Sequence, residues 1–387
     1  ADHVKSQRTR AGTFSFVHRR LRSRAMPRFI PPGVHSIRAA APGNNLVCSG
    51  GINTQRSDRS PIEPANLLLS MPISSWTLDR SRLEHVACPL CHGLEFEKLA
   101  STDRYNMGIV TMGCLGCGLV MTNPQPTSEA LDDFYAHHYR RYYRQSMAPT
   151  LSHIRALRID ERTSAAVDFL IARGDLLPDM AVLDIGASEG SMLRAVGERL
   201  PSTRRFAIEP DARLGDFTVQ HAGCQVHASL QAFRESQPEP INLVIMNHVL
   251  EHIRNPIQFL SSLKPLLASN ARIYIDVPDL REYHKLSALH IAHLYHFGPD
   301  TLAQTAASAG YSVQVIEKHS PPRHPRSLRC VLSAVVPAMV PAPVNQRTGW
   351  DVVRSCAHHA WYAHGKRWLR STAAPLLVFG RSQHRAP

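Results

Sequence analysis

The sequence lacks any long uninterrupted hydrophobic segment. No apolar run in its 387 residues reaches the ~18 to 20 residues of a membrane-spanning helix, and the nearest candidate, residues 331–344, is shorter and contains three prolines. No secretory signal accompanies the eight cysteines, so a disulfide framework is not expected. The 43% of hydrophobic residues are enough for a sizeable core. We therefore expect a soluble, cytoplasmic protein with no transmembrane segment.

Acidic residues are scarce at both ends of the chain. The net charge is +13, of which residues 1–70 contribute +8 and residues 337–387 contribute +6, leaving −1 for residues 71–336. A large positive charge can indicate nucleic-acid binding, but its location decides what it means. Because the central region is neutral, nucleic acid is not the expected partner of the folded core.

Residues 1–70 also lack a sustained helical or strand period. They are rich in arginine and are broken by proline and glycine, which predicts a disordered basic N-terminal extension. The same composition is compatible with an organelle transit peptide, or with an arm that binds nucleic acid or a membrane surface. Organised sequence begins near Met71, so a start codon assigned too far upstream is a further explanation.

Two Cys-x-x-Cys pairs stand 22 residues apart where the organised sequence begins. This spacing is close to that of four-cysteine zinc sites. Two thiolates three residues apart can bind one edge of a tetrahedral ion when the turn between them is tight, and Pro89 and Gly116 favour such turns. His92 is an alternative ligand. The predicted ligands are Cys88, Cys91, Cys114 and Cys117.

We therefore predict a zinc ribbon over residues 85–125, with strands at Leu94–Leu99 and Gly108–Met112. A closed shell of four thiolates leaves no position for a substrate, so the zinc is expected to be structural. Such a site contributes directly to the stability of its module.

Residues 126–335 alternate between apolar strands and helices, which is typical of a parallel sheet covered on both faces. Two helices, at 128–144 and 159–172, come first. Strands are predicted at 181–185, 205–208, 225–227, 243–246, 272–277, 312–316 and 328–335, with helices at 189–200, 211–222, 256–267 and 299–308. The pattern predicts an α/β fold with a Rossmann-like sheet of seven strands.

The turn after the first of these strands reads Asp184-Ile-Gly186-Ala187-Ser-Glu-Gly190. Its glycines allow a ligand to approach the backbone, and the amides at the start of the following helix favour a carboxylate. Glu209 ends the next strand, about 20 residues further on, where an acid can accept both ribose hydroxyls.

This layout fits two classes of cofactor. A dinucleotide site has Gly-x-Gly-x-x-Gly crowded against a pyrophosphate, which the carboxylate of Asp184 would repel. The same carboxylate can bind a methionine ammonium group. The loop therefore favours S-adenosylmethionine over a nicotinamide cofactor.

Four further segments extend this pattern: Ile208-Glu-Pro-Asp211, Asn247-His-Val-Leu-Glu-His-Ile-Arg-Asn-Pro256, Ile275-Asp-Val-Pro278 and His293-Leu-Tyr-His-Phe-Gly-Pro-Asp-Thr-Leu302. Together with the loop and the cysteine pairs, they resemble the class I S-adenosylmethionine-dependent methyltransferases. The most similar subgroup carries an N-terminal zinc ribbon and often modifies sugars or other small metabolites. The resemblance covers about residues 85–335.

The resemblance implies a role for each matching residue. Asp184, Gly186, Ala187 and Gly190 would hold the methionine end of the cofactor, and Glu209 would bind its ribose. Asn247 and His248 would line the sulfonium and the substrate. Ser188 replaces a glycine that is common in the family, and the usual acid for the adenine is not evident near Ser229.

A hydroxyl or acidic C–H acceptor requires a general base, and histidine suits that role near neutral pH. The candidates are His293 and His252, with His248 and His296 as alternatives. His293 matches the catalytic histidine of the zinc-bearing sugar C-methyltransferases. Those enzymes have Glu beside it and Tyr upstream, whereas this chain has Ala292 and His290. This difference favours an oxygen or nitrogen acceptor.

The expected reaction is methyl transfer to a small molecule, with a sugar or nucleotide sugar as the candidate acceptor. The alternatives are an rRNA or tRNA methyltransferase whose zinc ribbon binds RNA, and a scaffold that binds the cofactor without catalysis. Residues 336–387 form a basic C-terminal appendage, expected either to pack as an extra helix or to lie on a membrane surface.

Overall fold

The computed structural model describes residues 78–139, 142, 150–236, 238–322, 324, 326–334, 347 and 349–358. The predicted extension over residues 1–70 and most of the predicted appendage over residues 336–387 lie outside these ranges. None of the helices in the described ranges combines the length and the apolar character needed to cross a membrane.

The first described segment forms a small antiparallel sheet around the cysteines. Strands β2 (Phe96–Ala100), β3 (Thr111–Cys114) and β4 (Val120–Thr122) lie side by side, and the short strands β1 (Leu83–Glu84) and β5 (Gln125–Pro126) pair with each other.

The two ribbon strands begin two to three residues later than the sequence predicts. The carboxylate of Asp103 explains the later start of β3. It accepts hydrogen bonds from the backbone amides of Tyr105 at 2.9 Å and Ile109 at 3.1 Å. These bonds hold the connection in a loop, so β3 starts at Thr111 rather than at Gly108.

Helices in the described part of the connection join the small sheet to the main one. They are α1 (Ser128–His137), α2 (Leu151–Ala156) and α3 (Ile159–Ala172). Helix α1 starts where the Thr127 side chain accepts a hydrogen bond from the amide of Ala130 at 3.2 Å. It ends before the predicted boundary at residue 144, whereas α3 has its predicted bounds.

The remaining elements alternate as expected. The strands are β6 (Ala181–Ile185), β7 (Arg204–Ile208), β8 (Gln225–His227), β9 (Ile241–Asn247), β10 (Leu267–Pro278), β11 (Tyr295–His296), β12 (Ser312–His319) and β13 (Ser327–Ser333). The helices are α4 (Ser191–Arg199), α5 (Ala212–Ala222), α6 (Leu230–Glu235), α7 (Pro256–Leu263) and α8 (Pro299–Ser308).

Seven of these strands form one sheet in the order β12-β13-β10-β9-β6-β7-β8. Neighbouring strands from β10 to β8 run parallel, whereas β13 is antiparallel to both β10 and β12. This confirms the predicted α/β fold, a Rossmann-like seven-stranded sheet preceded by a small N-terminal ribbon.

The core lies on both faces of this sheet. Successive strand residues point to opposite faces, so Leu183 and Val244 pack in one apolar cluster while Val182 and Leu243 pack in the other. Because both faces are covered, the five residues of β6 are all buried.

The small sheet is completed by distant parts of the chain. Strand β11 pairs with β4, with Tyr295 opposite Met121. Residues 350–358 are helical and place Trp350 against Gly113, where an added Cβ would overlap the indole ring. The Trp350 Nε1 donates a hydrogen bond to the Gly118 carbonyl at 3.0 Å. These residues therefore pack as a helix against the small sheet.

Candidate functional site

The loop between β6 and α4 leaves no room for larger side chains at its glycines. Gly186 has φ +72° and Gly190 has φ +76°, a region that favours glycine. An added Cβ would lie 2.8 Å from Val249 Cγ2 at Gly186 and 2.7 Å from Thr218 Cγ2 at Gly190. Both positions therefore require glycine, for conformation and for space.

Ser188 takes the same left-handed conformation without being glycine, with φ +51°. Its amide donates to Glu209 Oε2 at 2.8 Å, and its carbonyl accepts from Thr218 Oγ1 at 2.6 Å. These two bonds hold a backbone conformation that costs free energy for a non-glycine residue. The serine thus keeps the loop in the shape that the family's glycine would allow.

Three carboxyl groups surround the loop. Burial raises the pKa of Asp184 well above its usual range, and the nearby Glu209 and Glu189 add to the effect. Glu209 accepts from the amides of Ser188 and Asp211, one on each oxygen. An ammonium or sulfonium group would stabilise this cluster, so the residues fit a cationic nucleoside cofactor.

The end of β9 supplies the adjoining wall. The Asn247 Oδ1 atom is buried and has no hydrogen-bond partner among the described residues. His248 follows in a left-handed conformation, with φ +57°, and its amide donates to the Asp276 carbonyl of β10 at 2.8 Å. Both residues lie at the carboxyl edge of the sheet, where open α/β sheets bind ligands.

Glu251 is the centre of a histidine cluster at that edge. Its side chain is 1% exposed. The Oε1 atom lies 3.2 Å from His248 Nδ1, 3.8 Å from His252 Nε2 and 3.9 Å from His293 Nε2. Strand β9 and the turn after it place His252 beside Glu251. The Leu294 amide donates to the Glu251 carbonyl at 2.9 Å, and this bond fixes the loop that carries His293.

The two predicted catalytic histidines are therefore neighbours, with ring centres 5.1 Å apart. Burial lowers the pKa of His252, and burial together with the adjacent histidines lowers the pKa of His293 well below its usual range. Both imidazoles are thus neutral near pH 7, and a neutral imidazole can accept a proton.

Sequence reasoning missed two members of this cluster. Glu251 stood in the quoted motif but received no role, and Tyr135, whose hydroxyl lies 2.9 Å from His252 Nδ1, received none either. An acid beside two candidate bases was the available signal for Glu251. Tyr135 is 117 residues from His252, so only the tertiary structure brings them together.

The four predicted zinc ligands converge. Cys88 Sγ lies 3.5 Å from Cys117 Sγ, and Cys91 Sγ lies 3.4 Å from Cys114 Sγ. All four sulfurs lie within 4.8 Å of one another, and His92 is not among the grouped ligand atoms. Tetrahedral zinc with bonds of about 2.3 Å would separate its sulfur ligands by about 3.8 Å.

Electrostatics favour a cation at the centre of this cluster. Hydrogen bonding with Cys114 raises the pKa of the Cys88 thiol to about 12, whereas hydrogen bonding with Cys117 lowers the pKa of Cys114. Four thiolates at this spacing would repel one another, and a divalent ion removes that repulsion. The donor set and the distances fit zinc.

A cavity of about 430 Å³ lies beside the cysteine cluster rather than at the Asp184 loop. Its lining includes Cys88, His92, Arg254 and Tyr295. It belongs to the contact between the small sheet and the turn after β9.

Comparison with known proteins assigns the central part of the chain. Residues 139–315 match the family model described as a methyltransferase domain. This match confirms the predicted enzyme class, an S-adenosylmethionine-dependent methyltransferase. No curated protein matches the chain.

Solved structures with a similar arrangement have low identity. A 1,6-didemethyltoxoflavin-N1-methyltransferase from Burkholderia thailandensis is 18% identical, with a TM-score of 0.42, over 56% of this chain and 95% of that one. The magnesium protoporphyrin IX methyltransferase from Synechocystis PCC 6803 is 14% identical, with a TM-score of 0.40, over 53% and 98%. At these TM-scores the assignment rests on the family match.

Proposed function

We propose that this methyltransferase transfers a methyl group to a hydroxyl or amine of a small molecule, with a sugar or nucleotide sugar as the candidate acceptor. The observation that carries the proposal is the contact between the Asp184 loop and the turn holding the histidine cluster. Val249 packs against Gly186, and Glu251 follows two residues later. A cofactor at the loop would present its methyl group to the histidines.

In this proposal the carboxyl edge of the sheet holds S-adenosylmethionine. Asp184, Gly186, Ala187 and Gly190 bind the methionine end, where the buried carboxyl meets the ammonium group. Glu209 accepts from the ribose hydroxyls. Asn247 and His248 line the sulfonium side, and the unpartnered Asn247 Oδ1 is available to a donor there. The bound cofactor supplies an electrophilic methyl group.

The histidine cluster prepares the acceptor. His293 Nε2 or His252 Nε2 takes the proton of the acceptor hydroxyl, and Glu251, less than 4 Å from both, stabilises the imidazolium that forms. Holding acceptor and methyl group in line contributes much of the remaining rate enhancement.

An oxygen or nitrogen acceptor fits this cluster better than a carbon acceptor. Ala292 and His290 occupy the positions of the Glu and Tyr in the zinc-bearing sugar C-methyltransferases that the sequence resembles. The rings of His290 and His293 are tilted against each other with centres 3.8 Å apart, and burial lowers the pKa of His290 well below its usual range. A neutral imidazole replaces a phenol hydroxyl beside the base.

We also propose that the four cysteines bind one structural zinc ion. Three of the four residues are fully buried, and the sulfur separations fit a tetrahedral shell. Such a shell has no open position, so the ion stabilises the small sheet and takes no part in methyl transfer.

The decisive test of the cofactor site is calorimetry on zinc-loaded full-length protein. Titration with S-adenosylmethionine or S-adenosylhomocysteine is expected to give saturable heat for one site per chain. Absence of heat with both nucleosides would overturn the proposed site.

The acceptor class is tested by incubation with labelled methyl donor and cell extract. Separation into small metabolites, polysaccharide and RNA is expected to place the label with small metabolites or sugars. Label confined to RNA would replace this proposal with the RNA methyltransferase alternative.

A further inference from the structure

Three side chains in the histidine cluster have the composition of a metal site. Glu251, His252 and His293 each offer one ligand atom, and these atoms lie within 4.8 Å of one another. Two imidazoles and one carboxylate are a donor set that first-row divalent metals accept. The group lies more than 130 residues in sequence beyond the four cysteines and shares no ligand with them.

Hydrogen bonds fix which nitrogen of each imidazole faces the carboxylate. His252 Nδ1 lies 2.7 Å from the Ala292 carbonyl oxygen, and His293 Nδ1 lies 3.2 Å from the Ala288 carbonyl oxygen. A carbonyl oxygen can only accept, so both Nδ1 atoms carry the hydrogen. Both Nε2 atoms therefore present lone pairs. Backbone carbonyls orient metal-binding histidines in this way.

These lone pairs converge on an oxygen that also has only lone pairs. Glu251 Oε1 lies 3.8 Å from His252 Nε2 and 3.9 Å from His293 Nε2. No hydrogen stands between the three atoms in this tautomeric state, so they repel one another. A cation between them would turn the repulsion into attraction.

The second carboxylate oxygen points to the same conclusion independently. Glu251 Oε2 is buried and has no hydrogen-bond partner among the described residues, in a side chain that is 1% exposed. Leaving a buried charged oxygen unpartnered costs free energy. A metal ion that takes a carboxylate through one or both oxygens would satisfy it.

The spacing suits metal coordination after a small adjustment. Bonds of about 2.1 Å to nitrogen and oxygen place tetrahedral ligand atoms about 3.4 Å apart. The observed separations of 3.8 and 3.9 Å exceed this by about half an ångström. The same carboxylate also contacts His248, whose Nδ1 atom lies 3.2 Å from Glu251 Oε1.

We propose that Glu251, His252 and His293 bind a divalent first-row transition metal ion. Three protein ligands leave at least one position open, as in catalytic rather than structural sites. A hydroxyl in that position would lose its proton more readily. The imidazoles would then be metal ligands rather than bases. The site itself does not depend on the proposed reaction, but its role in activating the acceptor does.

The test is cobalt binding to the full-length protein with zinc already in the cysteine site. Dialysis against Co²⁺ followed by metal analysis is expected to give one cobalt in addition to one zinc. The visible spectrum is expected to show cobalt d–d bands without a thiolate-to-cobalt charge-transfer band, because nitrogen and oxygen are the donors. Zinc without cobalt would overturn the proposal, as would cobalt with the thiolate band.

Single variants identify the ligands. Glu251→Gln, His252→Gln and His293→Gln are each expected to weaken cobalt binding at least about tenfold, since even outer-shell changes cost about 10- to 100-fold. His284→Gln is the matched control, because His284 is an exposed histidine in the same connection and is not one of the grouped ligands. Unchanged affinity in the Glu251 variant would overturn the site.

Calorimetry with S-adenosylhomocysteine separates this proposal from the proposed function. A variant that binds the nucleoside but not cobalt is folded and has lost only the metal. Wild-type protein that binds cobalt but no nucleoside would leave the metal site standing and remove the proposed function. Wild-type protein that binds the nucleoside but no cobalt would overturn the metal site and leave the proposed function standing. A proton on one imidazole would then be the cation beside Glu251.

Discussion

At the scale of single residues, the site is organised by buried carboxyl groups. Asp184, Glu209 and Glu251 lie at the ends of β6, β7 and β9 and are each less than 10% exposed. Isolated carboxylates are costly to bury, so each requires a cationic or hydrogen-bonding partner. Two backbone amides donate to Glu209. Burial raises the pKa of Asp184 well above its usual range, and Glu251 Oε2 is buried with no hydrogen-bond partner among the described residues.

Glu209→Gln tests the ribose contact. The charge-assisted hydrogen bonds that a carboxylate offers contribute about 1.5 to 3 kcal/mol, so S-adenosylhomocysteine affinity is expected to fall about 10- to 100-fold by calorimetry. Glu198→Gln is the matched control, because Glu198 is half-exposed and pairs with Arg194 on α4. Unchanged affinity in the Glu209 variant would remove it from the cofactor site.

His293→Ala tests the acceptor side. With the acceptor fraction identified, turnover is expected to fall about 10²- to 10⁴-fold, the range for a lost general base. Nucleoside affinity should be retained because the side chain faces Glu251 rather than the Asp184 loop. His284→Ala, an exposed histidine in the same connection, serves as the control. Full turnover in the His293 variant would exclude it as base and as ligand.

At the scale of elements, the small sheet is held together by parts of the chain far apart in sequence. Strand β11 adds to its edge through β4, and the helix of residues 350–358 covers β3. The cysteines lie beside this contact, because Trp350 packs on Gly113 and donates to the Gly118 carbonyl. A sheet this short has few backbone hydrogen bonds of its own, so these additions supply much of its stability.

Zinc removal is expected to unfold this sheet. A strong chelator under reducing conditions should release one zinc and change the near-ultraviolet circular dichroism together with Trp350 fluorescence, because the indole donates to the Gly118 carbonyl. Cys88→Ser should lose the zinc, and Cys224→Ser, a buried cysteine outside the cluster, should keep it. Chelation that leaves both signals unchanged would contradict a structural role.

Trp350 is expected to anchor the C-terminal helix. Trp350→Ala should lower the free energy of unfolding by about 3 to 5 kcal/mol, as for other buried tryptophans. Trp350→Phe, which loses the hydrogen bond to Gly118 and part of the ring volume, should cost less than Trp350→Ala. Chemical denaturation measures both.

Gly113→Ala supplies the matched test of this contact. Its Cβ would overlap the indole ring, so the single variant should be destabilised. In the Trp350→Ala background the same substitution should cost much less, because the space has been vacated. An equal loss of unfolding free energy in the two backgrounds would show that the indole ring does not pack against Gly113.

At the scale of the whole molecule, the fold buries several histidines in one region, which makes stability depend on pH. Burial lowers the pKa of His296 to about 3, and that residue is 1% exposed. The unfolded chain takes up a proton near pH 6.5, whereas the folded chain does not until about pH 3. Between these values the unfolded state binds more protons, so stability falls as the pH is lowered.

His296→Asn should reduce this dependence. One proton corresponds to about 1.4 kcal/mol per pH unit, so the slope of unfolding free energy against pH between about 4 and 6 should decrease by up to that amount. Denaturation at several pH values measures it, and His284→Asn, which is exposed, is the control. Equal slopes for wild type and the His296 variant would contradict the burial argument.

The sequence alone determined the order and type of the elements in the main sheet. Strands β6 and β8 and helices α3 and α8 have their predicted bounds, because local hydrophobic periodicity and flanking proline and glycine define them. The cysteine spacing also predicted the cluster of four thiols. The sequence also predicted that the Asp184 loop needs its glycines, because this need comes from the local backbone conformation.

The tertiary structure decided which distant side chains meet. The start of β3 depends on Asp103, the small sheet takes a strand from residues 295–296, and Trp350 packs against a glycine 237 positions earlier. The meeting of Glu251, His252 and His293 likewise follows from the path of a loop between β10 and β11. The hydrophobic periodicity of the sequence does not predict such contacts, because they arise from packing between elements rather than from the local chain.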